Sequence, residues 1–200
     1  MQGLGLGWVP CGITAGVSDR VVVRLARPDE LGQVGRLTLE AYLADGMVDP
    51  AGSYAAELTD APWRARQAEL LVAVDSDGTL LGTITVCTPG SPLSEVSFPG
   101  ELEFRMLAVD PEARGRGVGE ALVTAVLRRA VGVGAQRVVL CSGERMHAAH
   151  RLYARLGFIR LPERDWYPVP ELKLLAFGTT GRLTGNDLDA SAAAHRGLLR

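Results

Sequence analysis

Hydrophobic residues recur along this chain with two periods, and the switches between them divide it into elements. Residues 21–26 (Val-Val-Val-Arg-Leu-Ala) are a short β-branched run, hence a strand, and Pro28-Asp29-Glu30 then opens a helix with proline and acids in its first turn. That helix carries Leu31, Val34, Leu37 and Leu39 and is expected to end near Gly46. Residues 54–66 have helical spacing behind Ser53 as an N-cap. Two apolar runs, 70–74 and 80–86, flank Asp75-Ser76-Asp77-Gly78 and predict a hairpin.

Residues 88–100 are rich in proline and glycine and read as a surface loop bordering a site. Period-two alternation follows over 101–109, with Leu102, Phe104, Met106 and Ala108 expected on one face and Glu101, Glu103 and Arg105 on the other. Helical spacing covers 117–131, closed by Gly132 and Gly134. Residues 137–141 are the next strand, and 145–156 are a helix stopped by Gly157. Phe158-Ile159 and 172–177 complete the strands around a proline-rich loop holding Trp166 and Tyr167.

This order predicts an α/β (α+β) fold in one domain over 20–178, with a mixed, mostly antiparallel sheet of six to seven strands. Helices are expected on both faces and a β-α-β unit at the centre. Residues 1–19 read as a flexible leader and 179–200 as a tail, disordered unless residues 188–199 dock as a helix.

The charge of −2 is mixed along the chain, so no bulk field draws nucleic acid or anionic lipid, and any cationic site must be local. Cys11, Cys87 and Cys141 are scattered with no paired spacing, which suits a reducing cytosol and argues against a disulfide framework or cysteine-built zinc site. With no run long and apolar enough to span a bilayer and no basic-then-apolar leader, the protein is expected to be soluble and cytoplasmic. His147 and His150 stand three apart on a helix without an evident third ligand, so no metal is expected.

The chemistry concentrates at Arg114-Gly115-Arg116-Gly117-Val118-Gly119, between a strand and a helix. Backbone N–H groups and the positive end of the helix dipole converge at such a turn, glycine permits close approach, and the two arginines add charge: together, a phosphate site. A dinucleotide fingerprint would need glycine at Glu120, and a nucleotide P-loop would need an absent Lys-Ser/Thr pair. A tight strand-to-helix turn without ligand reads the same in isolation.

The stretch from Glu103 to Gly119 resembles motif A of the GNAT superfamily of N-acetyltransferases. Ala149-His-Arg-Leu-Tyr153-Ala-Arg-Leu-Gly157-Phe158 is similar to the family's second motif. The resemblance implies acetyl-CoA as cosubstrate and a primary amine as acceptor. It implies that the diphosphate meets the amides of Arg114 to Gly119, and that Leu107, Ala108 and Val109 bond the pantetheine arm as an added strand would. It also implies Glu103 as proton acceptor, through water, and Tyr153 as proton donor to the departing thiolate in a ternary complex. Met146 stands where many members place asparagine, removing a polar contact near the thioester.

Glu95, Glu101 and Glu103 hint at a cationic acceptor, although a solvated acidic rim has the same sequence. Competing readings are a non-catalytic acetyl-CoA sensor and a nucleic-acid module, the latter lacking a basic face or interleaved aromatics. Acceptor identity and pairing into a homodimer stay open.

Overall fold

A computed structural model describes residues 21–88 and 90–180 of the chain. The expected leader falls outside the described residues, as does all of the expected tail but its first two positions. Eight strands and five helices follow in the order β1 (Val22–Leu25), α1 (Leu31–Ala44), α2 (Ser53–Thr59), α3 (Ala61–Gln67), β2 (Glu69–Val74), β3 (Leu80–Cys87), β4 (Glu101–Val109), α4 (Val118–Gly132), β5 (Arg137–Gly143), α5 (His147–Arg155), β6 (Phe158–Arg160), β7 (Trp166–Val169) and β8 (Leu172–Thr179).

The strands form one mixed sheet in the order β1-β2-β3-β4-β5-β8-β6, with β7 added against β8. Only β4 and β5 run parallel; the other pairs are antiparallel. α4 and α5 cover one face, where Leu122, Val126, Leu152, Phe104 and Phe158 build the larger core. α1 and α3 cover the other, around Val34, Leu37, Ala61 and Val72. The hydrophobic period predicted this layering because a helix stripe and a strand face must each bury their apolar side.

Several expectations change. The helix over 54–66 is two, because Pro62 has no N–H to continue the ladder, and Asp60 accepts the Trp63 N–H at 2.9 Å as the cap of a new start. Ser53 is the first helical residue and Gly52 the cap, without a side-chain bond. Trp166 and Tyr167, expected in a loop, lie in β7, paired to β8 through Trp166–Leu174 and Val169–Leu172, so the sheet has eight strands. The last strand continues through Thr179, whose buried hydroxyl accepts the Val138 N–H at 3.1 Å, two residues beyond the expected end of that strand.

A further change sets up the site. Met106 has φ 51°, the one positive value among the described non-glycine residues, and the β3–β4 register slips between Thr83 and Thr85, so Met106 and Leu107 share the single partner Ile84. This bulge reverses the alternation. Phe104 packs in the α4 side core, while Ala108 packs in the α1 side core and Leu107 and Val109 lean on the α4 side. The uniform face predicted for Leu102, Phe104, Met106 and Ala108 ends at Met106.

Candidate active site

The ladder between β4 and β5 stops at Phe104–Leu140, yet β4 runs on to Val109 and β5 to Gly143. Two parallel strands that part company leave backbone edges facing a wedge. β4 is held on its other side by β3 through Ala108–Thr83 and Val109–Gly82. Gly82 allows this closeness to α4: an added Cβ would lie 2.8 Å from the Ala108 carbonyl oxygen and 3.0 Å from Val118. A slot in the wedge is lined by Tyr42, Met106, Leu107, Ser142, Met146 and Tyr153.

The glycine turn stands at the open end of β4. Gly115 and Gly117 both adopt φ 78° and are exposed, and a Cβ on either would meet nothing within 4 Å. The first helix bond runs from Ala121 N–H to the Gly117 carbonyl at 2.9 Å, so the amides of Val118, Gly119 and Glu120 precede the intrahelical ladder, and Gly117 caps without a side chain. Open space over unpaired amides at the head of a long helix fits a diphosphate. Gly119 serves packing instead, since a Cβ there would lie 3.3 Å from Leu152.

The arginines divide. Arg114 pairs with Asp45 at 2.8 Å and reaches the Ala41 carbonyl at 3.4 Å, bracing the turn against the end of α1 rather than standing over it. Arg116 is exposed on the turn.

Tyr153 is 3% exposed, among the rings of Phe104, Phe158 and Phe177 at centroid distances of 5.9, 6.0 and 5.7 Å. Burial pushes its phenol well above the ordinary value, opposed in part by Ser142. Met146 caps α5 and lines the slot, and its sulfur lies 3.5 Å from the Ser142 hydroxyl. Ser142, which the sequence reading overlooked, thus puts a polar atom beside the position where asparagine is missing. Its signal was slight, a hydroxyl extending the 137–141 strand by one step.

Glu103 differs most from expectation. Its carboxylate is fully buried and accepts backbone N–H groups from Glu95 (3.0 and 3.2 Å), Val96 (3.1 Å) and Ser97 (3.0 Å), which engage both oxygens. Glu101 is likewise buried, paired with Arg164 at 2.6 Å and capping the Phe98 amide at 2.9 Å. The acidic rim therefore reduces to Glu95. It lines a cleft of about 610 Å³ with Glu57, Asp60, Trp63 and Leu93, to which Arg105 also contributes.

Cys87 and Cys141 are free thiols, each pushed up to about 12 by burial. No group of His, Cys, Asp and Glu among the described residues is arranged to hold a metal, and no described helix is long and apolar enough to cross a membrane.

Known proteins share this arrangement. The acetyltransferase (GNAT) family profile matches residues 37–158. Mycothiol acetyltransferase of Cellulomonas flavigena is 34% identical over 131 residues, 61% of this chain but 37% of that protein, and its Salinispora arenicola counterpart is 42% identical over 109 residues, 50% of this chain and 32% of that one. The chain thus spans about a third of those relatives' length. Among crystal structures, a GNAT-family acetyltransferase of Staphylococcus aureus superposes with a TM-score of 0.65 at 12% identity, covering 82% of this chain and all of that one. A GCN5-related N-acetyltransferase of Kribbella flavida superposes at 0.58 with 26% identity, covering 79% and 96%. Since the family profile spans both the parted strands and the glycine turn, and the same fold recurs in those crystals, this chain belongs to the acetyltransferase (GNAT) family.

Proposed function

We propose that this protein transfers an acetyl group from acetyl-CoA to a primary amine by direct attack in a ternary complex. The observation that carries the reading is the parting of β4 from β5 beside the open amides heading α4. Acetyl-CoA supplies a thioester activated for acyl transfer. The amides of Val118 to Glu120, with Gly115 and Gly117 holding the turn open, bind the diphosphate. The free edge of Leu107, Ala108 and Val109 orients the pantetheine amides as a strand would, and an N–H near Leu107 or Ala108 polarises the carbonyl.

Tyr153 donates to the departing sulfur. Its raised pKa keeps the proton on the phenol throughout the neutral range, so a donor is always present. The two described thiols stay protonated near pH 7 for the same reason, burial, which favours direct attack over an acyl-cysteine. Glu103 enters this reading through the loop it holds, since its oxygens are engaged by residues 95–97. Free thiols suit a reducing compartment, and we assign the protein to the cytosol.

The names of the mycothiol acetyltransferases support acetyl transfer as the chemistry. The test is release of CoA thiol with a panel of primary amines. Turnover is expected in the wild type, loss of CoA binding by calorimetry in Gly117→Glu, and a fall in kcat of about 10²-fold with unchanged CoA affinity in Tyr153→Phe. Binding without turnover on any amine would favour a sensor instead.

A further inference from the structure

The wedge accommodates a thioester but does not explain how the acceptor amine loses its proton, since Glu103 is fully buried with three loop amides on its carboxylate. The loop that supplies those amides leads to another carboxylate. Glu95 donates its backbone N–H to Glu103 and sends its own side chain, 21% exposed, toward the 610 Å³ cleft. There Arg105 Nη2 meets Glu95 Oε1 at 2.5 Å, and Arg105 Nη1 holds the Leu93 carbonyl at 3.0 Å, which leaves Oε2 with lone pairs for an incoming N–H. Arg105 immediately precedes the Met106 bulge and lines both the cleft and the slot beside Tyr153. Tyr42 lines the slot and stacks edge-on with Tyr54 of α2 at 6.2 Å, closing the same side.

Resting on the acetyltransferase reading above, we propose that the cleft between α2 and the 88–100 loop takes the acceptor, that Glu95 accepts the proton of its ammonium group, and that Glu103 is the residue positioning Glu95. The ammonium gives its first proton to the Glu95 carboxylate, which passes it to solvent. The neutral nitrogen then forms the C–N bond as the C–S bond breaks, Tyr153 protonates the sulfur, and the second nitrogen proton, passed through solvent, restores the Tyr153 phenol.

The surroundings suit that task. Burial raises the Glu95 carboxyl to about 7, against the lowering influence of Arg105 and with the raising influence of Glu103 and Glu57. Tyr54, Cys87 and Cys141 are also within electrostatic reach, and Asp60 lines the cleft. Glu57 and Asp60 line the cleft with Glu95, so the acceptor class is a primary amine that arrives as its ammonium cation.

The experiment compares kcat–pH profiles of wild type, Glu95→Gln and Glu103→Gln, with CoA affinity measured on each by calorimetry. Wild type is expected to lose activity as pH falls through about 7. Glu95→Gln should bind CoA normally, lose about 10²-fold in kcat at neutral pH, and regain rate as alkaline pH deprotonates the amine directly. Glu103→Gln should lower kcat and move the limb below 7 without abolishing it, since the Glu103 charge is one of the influences raising Glu95. A wild-type profile in Glu95→Gln, or a limb lost only in Glu103→Gln, overturns the assignment while leaving acetyl transfer intact. CoA binding without turnover on any amine overturns both.

Discussion

Single side chains in this protein do work that their sequence neighbours do not announce. Arg64 is fully buried, yet it bonds neutral partners: Thr85 at 3.0 Å, Thr38 at 3.1 Å and the Leu58 carbonyl at 2.9 Å. It pins α3 to α1, to the end of α2 and to β3, with burial lowering its pKa and Tyr42 and Tyr54 among the groups opposing that. Arg64→Ala empties this site and strips those acceptors, so urea denaturation should report a loss of about 3 kcal/mol. Arg64 reads in sequence as one more basic residue on a helix. Only its depth identifies it as a strut, and the same is true of Glu103.

Among the elements, the bulge in β4 and the 88–100 loop shape the candidate site. The alternation over 101–109 was legible, and its first half holds: Glu101, Glu103 and Arg105 do share a face. What pattern alone does not reveal is that the loop folds back over that face, turning a solvated stripe into a set of buried caps. Three loop amides bonded to one carboxylate should exchange slowly with solvent. Glu103→Ala is expected to make the amides of Glu95, Val96 and Ser97 exchange at least about tenfold faster, read by NMR, while the β2–β3 hairpin keeps its protection. The bulge is equally hidden, because Met106 has no turn residue to mark it, and its positive φ is imposed by β3 on one side and the parting of β5 on the other.

At the scale of the molecule, ion pairs tie the outer parts to the sheet. Burial alone would raise the carboxyls of Glu101, Glu30 and Asp165, but Arg164, Arg24 and Arg160 outweigh it and hold all three below their ordinary range. Each carboxylate therefore contributes stability that is fully present above its unfolded-state value and is lost as pH falls through the folded one. The melting temperature should be level from neutrality down to about pH 5 and drop below about pH 4, and Arg164→Ala should soften that drop. Glu95 runs the other way. Its folded pKa lies above the unfolded value, so ionising it opposes folding as pH rises from about 4.5 to 7, a small effect at a partly exposed group beside Arg105.

The sequence by itself determined most of the elements, the mixed sheet, the glycine turn and the family resemblance, because periodicity, capping and glycine chemistry act over a few residues and leave local marks. The tertiary structure alone decided which carboxylate meets the cleft, where β4 leaves β5, and that Arg114 braces α1. Those outcomes depend on groups far apart in the chain competing for the same hydrogen-bond partners and the same buried space, a contest that no local pattern records.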